Sequence, residues 1–197
     1  ASEVARSVTI EAEITVTGSK RADYLQAQLQ QVIDRLRITT EYATAKGGLM
    51  FKPYINAAGS LTVDFVQADQ FYPIAFDANN KMTACVFSDQ KTIGNVYYTR
   101  LEYHALLADG YHITNTVWRS TSKNALGNQV PLSSVAEWAD LEPEAIIANV
   151  TAPLFAYFKI SLANNIDTTS PLGVSIYSRA VDLIKQADEL WNNFLWE

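Results

Sequence analysis

Two histidines are the first candidates for chemistry, because a pair of imidazoles can bind a metal ion. His104 and His112 are the only histidines in the chain, and they flank Asp109-Gly110, a dipeptide typical of a tight β-hairpin. If Asp109 and Gly110 form the turn, His112 lies opposite Leu107, and alternation along the strand places His104 on the other face. We therefore expect two partly exposed strand histidines and no shared metal ion.

The remaining reactive side chains do not form a recognisable catalytic pattern. Cys85, the one cysteine, lies in an apolar run, which predicts a buried small hydrophobic residue rather than a nucleophile. Asp64, Asp69 and Glu102 are dispersed, and carboxylates on the polar face of a strand are usually solvated. The chain has no Gly-x-Ser-x-Gly elbow and no glycine-rich phosphate loop that opens a helix. We expect no catalytic residues and no cofactor, although an acid–base pair stays open.

The charge balance argues against tight binding to nucleic acid. Lysine and arginine total 15 against 21 aspartates and glutamates, which gives a net charge of −6. The densest basic stretch, Lys20-Arg21 with Arg35 and Arg37, is accompanied by Asp23 and Asp34. Because duplex DNA is held mainly through phosphate neutralisation by basic patches, we expect transient contact with DNA at most. The apolar runs are also too short for a membrane span.

These side chains would be positioned by an α+β fold with an antiparallel meander sheet. Val8 to Thr17 alternates apolar and polar residues, which predicts a strand ended by Gly18. Ser19 is a candidate cap for an amphipathic helix that runs to Leu36. A second helix is predicted to start near Thr39 or Thr40 and to end at Gly47-Gly48, because glycine readily takes the left-handed conformation of a helix C-cap.

The middle of the chain predicts the sheet. Between Leu49 and Lys159, runs rich in β-branched and aromatic residues are separated by turn sequences. Besides the hairpin at Asp109-Gly110, turns are predicted at 56–59 and 77–80. Residues 133–140 are predicted to hold one helical turn, and Leu154 to Ile160 the last buried strand.

The C-terminal segment predicts one long helix. Ser170-Pro171 combines an N-cap residue with proline at the first helical position, and nothing interrupts the pattern from there to Glu197. The apolar side chains cover more than the arc a surface helix needs, and Lys185 and Glu189 are spaced to pair. Large apolar residues near the end suggest a chain cut inside a helix. We predict an α+β domain over 1–169 and a truncated helix over 170–197.

The exposed side of that helix is the predicted interaction surface. A helix buried within its own domain and a helix that packs on neighbouring subunits are both compatible with the pattern, and the second is favoured. Leu183, Ile184, Leu190 and Trp191 are expected to include partly exposed side chains. The candidate subunit-interface residues on this surface are Arg179, Asp182, Leu183, Lys185, Glu189 and Trp191.

Several segments resemble the portal proteins of Siphovirus-type phages of Gram-positive hosts. They occur in order along nearly the whole chain, at AKGGLMFKPY (45–54), DFVQADQFYP (64–73), YTRLEYH (98–104), PLFAYFK (153–159), NNID (164–167) and SPLGVSIYSRAVD (170–182). The segment is similar to the wing of these portals followed by the first stem helix. Their clip, second stem helix, tunnel loop and crown have no counterpart here, so self-assembly by this stretch stays open.

The resemblance implies a structural virion protein without a catalytic site. Portal proteins form a dodecameric ring at one capsid vertex and provide the channel for DNA packaging and ejection. The resemblance therefore implies that the six candidate residues lie at a subunit interface or near this channel. The implied partners are other copies of the chain, the terminase, capsid and scaffold proteins, the tail connector and, transiently, phage DNA. The implied location is the portal vertex of the virion, and during assembly it is the cytoplasm of the bacterial host. The alternative origin is a prophage in the host genome.

Two other classes stay open. A tail or adaptor interaction module would share the aromatic-rich sheet without needing the long helix. An α+β hydrolase would need a deep pocket lined by Asp64, Asp69 or His104.

Overall fold

The computed structural model describes residues 1–56 and 58–196 and has the predicted α+β fold with antiparallel sheets. Ala57 and Glu197, which belong to a predicted turn and to the predicted helix end, lie outside the described residues. The helices are α1 (Ser2–Thr9), α2 (Ala22–Asp34), α3 (Leu36–Lys46) and α4 (Val181–Trp196). The strands are β1 (Gly48–Ile55), β2 (Leu61–Gln67), β3 (Phe71–Phe76), β4 (Met82–Ile93), β5 (Val96–Leu107), β6 (Gly110–Ser120), β7 (Asn128–Val130), β8 (Glu144–Ile147) and β9 (Ala156–Lys159).

The chain divides into two compact units, so the predicted single sheet is two sheets. The terminal unit comprises Ala1–Ala68 and the chain from Tyr157 onward, and the middle unit comprises Asp69–Ala156. In the terminal unit the sheet has the order β2-β1-β9. Leu49 and Met50 on β1 are fully buried, and the rings of Phe51 and Phe65 meet edge to face at 5.5 Å.

The middle unit is built on long antiparallel strands. Its sheet has the order β3-β4-β5-β6-β7, and β8 also pairs with β6. The core on one face of this sheet contains Phe87, Tyr111, Val117, Trp138 and Phe155. Two short 3₁₀ turns, Leu132–Ser134 and Ala136–Trp138, form where a helical turn was predicted. Cys85 on β4 is completely buried, as predicted.

The predicted strand over Val8 to Thr17 is wrong, because α1 occupies its first residues and no strand follows. The amide side chain of Gln26 on α2 takes the place of a strand partner. Its oxygen accepts from the backbone N–H of Val16 at 2.7 Å, and its nitrogen donates to the carbonyl oxygen of Ile14 at 3.3 Å. Alternation alone therefore does not make a strand where no second backbone is available to pair.

The next two helices are present with shifted starts. α2 begins at Ala22, and Ser19 lies before it, where its hydroxyl oxygen accepts from the N–H of Arg21. α3 begins at Leu36, ahead of the predicted start near Thr39. Its predicted end is confirmed, since Gly47 is the C-cap with a left-handed φ of 90°.

The C-terminal helix is confirmed, but it begins at Val181 rather than at Pro171. The intervening segment is held by tertiary hydrogen bonds instead of helical ones. Lys159 donates to the carbonyl oxygen of Pro171, the N–H of Gly173 donates to the Tyr157 hydroxyl at 3.0 Å, and the N–H of Ile176 donates to the carbonyl oxygen of Thr44 at 3.0 Å. These bonds hold the backbone away from the helical path until α4 starts.

Candidate functional site

The most unusual surface of the described chain is the apolar side of α4. Successive residues of a helix turn by about 100°, which places six large apolar side chains on one arc of about 140°. They are Leu183, Ile184, Leu190, Trp191, Phe194 and Leu195. We call this surface the α4 apolar face. Such a face normally packs against the core of its own domain.

Here the α4 apolar face is open. Its six side chains are between 55% and 69% exposed, and no residue of α4 is buried among those the structure describes. The prediction that Leu183, Ile184, Leu190 and Trp191 include partly exposed side chains is thereby confirmed. Soluble proteins seldom leave a contiguous set of large apolar residues in water unless it is an interaction surface.

The face also has a shape that could receive another side chain. Ala187, Leu190, Trp191 and Phe194 line a shallow groove of about 440 Å³. The Trp191 and Phe194 rings lie 5.8 Å apart and are tilted by 31°. Aromatic rings of this kind are the side chains that most often anchor protein interfaces.

The other predicted site residues divide between two sides of α4. Leu183 and Trp191 lie on the apolar face, whereas Asp182, Lys185 and Glu189 lie on the polar side. The Lys185 ammonium is 4.0 Å from the Glu189 carboxylate, and both side chains are largely exposed, so the pair adds little stability. Exposed Arg179 lies in the turn that precedes the helix. The interface role of these residues stays a prediction.

Four residues of the face were left out of the predicted site, and two of them, Leu190 and Phe194, line the groove. Leu190 and Phe194 follow Ala187 and Trp191 by three positions, so they lie next to them on the helix surface. The same helical spacing that selected Trp191 was sufficient to select both.

The histidines lie on opposite faces of the sheet, as predicted, although the turn is displaced by one residue. Leu107 pairs with Gly110 and Ala105 with His112, so Ala108 and Asp109 form the loop. A turn displaced by one residue changes each cross-strand partner by two, which preserves the face on which each side chain lies. The exposed Asp109 carboxylate accepts from His112 at 2.9 Å, and this hydrogen bond lowers the pKa of Asp109.

His104 is buried, so the expectation that both histidines are partly exposed is wrong for this one. It is 4% exposed and lies against the rings of Phe87 and Phe155. Its Nε2 is 2.7 Å from a Glu102 carboxylate oxygen, and its Nδ1 is 2.7 Å from the Tyr111 hydroxyl. A general base must reach the substrate proton that it removes, and this imidazole is enclosed by its own core.

A groove on the middle unit lies on the other face of the sheet. It has a volume of about 550 Å³, and its lining includes Thr99 and Leu101 on β5 and Val86 on β4. Because side chains alternate, Thr99 and Leu101 face away from His104. Asp64, Asp69 and His104 do not line this groove. The arrangement that would have supported a hydrolase is therefore not formed there.

Comparison with known families settles the class of this protein. A family model described as "Phage portal protein, SPP1 Gp6-like" matches residues 21–197, nearly the whole chain. No curated protein gives a significant match. The matched family is a structural, non-enzymatic one, so the class is that of a structural phage protein. The chain belongs to the SPP1 Gp6-like phage portal protein family, which confirms the resemblance seen in the sequence.

Membership of this family implies that the protein is located at the portal vertex of the virion. It also implies, in general terms, that the protein assembles with partners in an oligomeric ring. None of the helices in the described part of the chain combines the length and the apolar character that crossing a membrane requires.

Proposed function

We propose that this chain is a structural subunit of the portal ring and that the α4 apolar face packs on neighbouring subunits. The observation that carries the proposal is the exposure of Leu190, Trp191 and Phe194 on a helix with no buried residue of its own. Removing such side chains from water contributes roughly 1.5–3 kcal/mol each. In a closed ring every copy of α4 has an equivalent neighbouring subunit, so the apolar face of every copy is buried in the same way.

The finer features of the proposal follow from the portal likeness. The ring is dodecameric, surrounds the channel for DNA packaging and ejection, and docks the terminase, the tail connector, and capsid and scaffold proteins. Residues near 170–197 act as the stem-like part and residues 1–169 as the wing-like part. α4 itself starts at Val181, so the first eleven residues of the stem-like part, 170–180, are irregular chain and turns rather than a helix.

The charge of the chain fits a channel that lets DNA slide. α4 carries Asp182, Asp188 and Glu189 against one cation, Lys185, and the whole chain has a net charge of −6. DNA is retained only where many phosphates are neutralised. Arg179 and Lys185 touch phosphates in passing, and the subunit has no catalytic activity of its own.

Electron microscopy and mass measurement of the full-length protein test the proposal. A closed ring with a central channel is expected. Leu190→Asp is expected to prevent ring formation, because the carboxylate would have to be desolvated at the interface. Asn193→Asp is the matched control: it adds the same charge on the polar side of α4 and is expected to leave the ring intact.

Two results would contradict the proposal. A monomer or small oligomer of the full-length protein would favour a tail or adaptor module, since such a module needs no closed ring. Equal effects of Leu190→Asp and Asn193→Asp would show that added charge, and not the apolar face, controls assembly.

A further inference from the structure

Two of the six prolines of this chain lie inside β-strands, where proline is disfavoured because it cannot donate to the hydrogen bonds of a sheet. Pro53 lies on β1 in the terminal unit, and Pro73 lies on β3 in the middle unit. A strand tolerates proline where the proline nitrogen faces away from the neighbouring strand. The register of each strand pair determines which way these two nitrogens face.

The nitrogen of Pro73 faces the outer edge of the six-stranded sheet. The N–H of Ser88 donates to the Gln70 carbonyl oxygen at 2.8 Å, so these opposite residues are a hydrogen-bonded pair of the antiparallel ladder. Hydrogen-bonded and non-hydrogen-bonded pairs alternate, so Pro73, three positions on and opposite Cys85, belongs to a non-hydrogen-bonded pair. The backbone groups of such a pair point away from each other. Because β3 is the last strand in the sheet order, Pro73 removes a donor from an open edge.

The nitrogen of Pro53 faces the side of β1 opposite to β2, for the same reason. The N–H of Asn56 donates to the Ser60 carbonyl oxygen at 2.9 Å, which makes these two residues a hydrogen-bonded pair. Pro53, three positions back and opposite Val63, therefore belongs to a non-hydrogen-bonded pair. β9 lies on that side, but it has four residues against eight on β1, and residues 53–55 are exposed. The end of β1 is therefore a second open edge.

Both open edges have side chains that favour pairing with another strand. Tyr72 and Ile74, on either side of Pro73, are 53% and 55% exposed. Tyr54 and Ile55, at the end of β1, are 46% and 65% exposed. Aromatic and β-branched residues are enriched in strands, and an exposed edge that carries them is a template for a strand of another molecule.

The other edges of the two sheets have different obstacles to pairing. On β2, the outward carbonyl oxygen of Leu61 accepts from the side-chain amide of Gln31 on α2 at 3.0 Å. β7, β8 and β9 have only three, four and four residues. β3 also contains a bulge, because its register with β4 shifts between Pro73 and Ala75. Helical cover, short strands, bulges and proline all discourage edge pairing, so the two prolines belong to a consistent pattern.

We propose that Pro73 and Pro53 close the two open edges to strand addition, so that copies of this chain do not join through their sheets. The strand that they exclude is the edge strand of a second copy, because identical molecules present the same exposed edges to one another. The proposal concerns the sheet edges alone, and it holds whether or not the α4 apolar face packs on neighbouring subunits.

Pro73→Thr in the full chain tests the proposal, because threonine suits a strand and restores an outward N–H. Sedimentation velocity is expected to show dimers or larger species at protein concentrations at which the unmodified chain shows none beyond its own. The amide that the substitution introduces is expected to exchange at least about tenfold more slowly at high than at low protein concentration, because strand addition places it in a hydrogen bond.

Pro131→Thr is the matched control, since Pro131 is an exposed proline that precedes a 3₁₀ turn and lies outside the strands. It is expected to leave association unchanged. Pro73→Thr is also combined with Leu190→Asp, which separates association through the sheet from packing of the α4 apolar face. The added association is expected to persist in the double variant, because the sheet edge is the same.

Three results would overturn the proposal. One is a Pro73→Thr protein with the size distribution of the unmodified chain, and another is an introduced amide whose exchange does not depend on protein concentration. The third is equal association of Pro131→Thr. If Pro73→Thr does not fold, Pro53→Thr on β1 decides through the same two measurements, and an unchanged size distribution for that variant contradicts the proposal.

Discussion

Gly47 and Gly173 pack backbone against backbone, so closely that a β-carbon on Gly47 would lie 2.8 Å from the carbonyl oxygen of Gly173. The contact joins the end of α3 to the irregular segment that leads to α4. The neighbouring hydrogen bond from the Ile176 N–H to the Thr44 carbonyl oxygen reinforces it. The direction in which the chain enters α4 is therefore determined by a contact that only glycine permits.

Gly47→Ala is expected to destabilise the protein by about 3 kcal/mol, combining a left-handed backbone with a steric clash. Gly18→Ala is the matched control. Its φ of 96° is close to the 90° of Gly47, but nothing lies within 4 Å of the added β-carbon. It should cost only about 1 kcal/mol. Urea unfolding of both variants measures the difference, and equal losses would show that the backbone contact contributes nothing.

Leu195→Ser on the α4 apolar face is expected to change the free energy of unfolding of the monomer by less than about 0.5 kcal/mol. Leu195 is 60% exposed, so its removal leaves no cavity. Leu49→Ala is the comparison, because Leu49 is completely buried and its truncation should cost about 2–5 kcal/mol. Denaturant titration at low protein concentration separates them. A large loss for Leu195→Ser would mean that α4 packs within its own subunit.

Alkaline solution is expected to destabilise the middle unit through Tyr111. Burial raises its pKa in the folded state, so the folded protein binds more protons than the unfolded chain above the ordinary tyrosine pKa of about 10. Its contribution to stability is full below that pH and is lost progressively as pH rises toward the folded-state value. Unfolding measured against pH should show this slope, and Tyr111→Phe should reduce it. Tyr72→Phe, an exposed tyrosine on β3, should leave the slope intact.

Duplex DNA is expected to bind the chain with a dissociation constant no tighter than about 10⁻⁴ M at physiological salt. The net charge of −6 leaves few uncompensated cations for phosphates. Fluorescence anisotropy with a labelled duplex, repeated over a range of salt concentrations, is the measurement. Micromolar binding with a steep salt dependence would contradict the proposed sliding contact.

Features encoded by local backbone chemistry were predictable from the sequence. Gly47 ends α3 because a left-handed C-cap suits glycine, and the Asp109-Gly110 dipeptide marks the hairpin between β5 and β6. The apolar arc around Trp191 was predictable because helical spacing places those residues together. The family likeness rests on the order of such segments along the chain.

Features that depend on distant partners were not predictable. Gln26 replaces a strand partner for Val16, and Thr44 and Tyr157 delay the start of α4 by accepting hydrogen bonds from the preceding segment. The burial of His104 depends on Phe155, which is 51 positions away. Local patterns of alternation and capping contain no information about such contacts.

The absence of buried side chains on α4 also has a consequence for when this helix forms in the cell. Most of the stability of a helix in a protein comes from packing of its apolar face, and α4, with 16 residues and none of them buried, is only just longer than the about 12–15 residues below which isolated helices are marginal in water. If neighbouring copies cover its apolar face, helix formation and subunit association are thermodynamically linked, and the helical fraction rises with protein concentration. In dilute, newly synthesised chains the α4 segment would then be frayed. The complete helix would accumulate only once enough subunits are present to cover its apolar face.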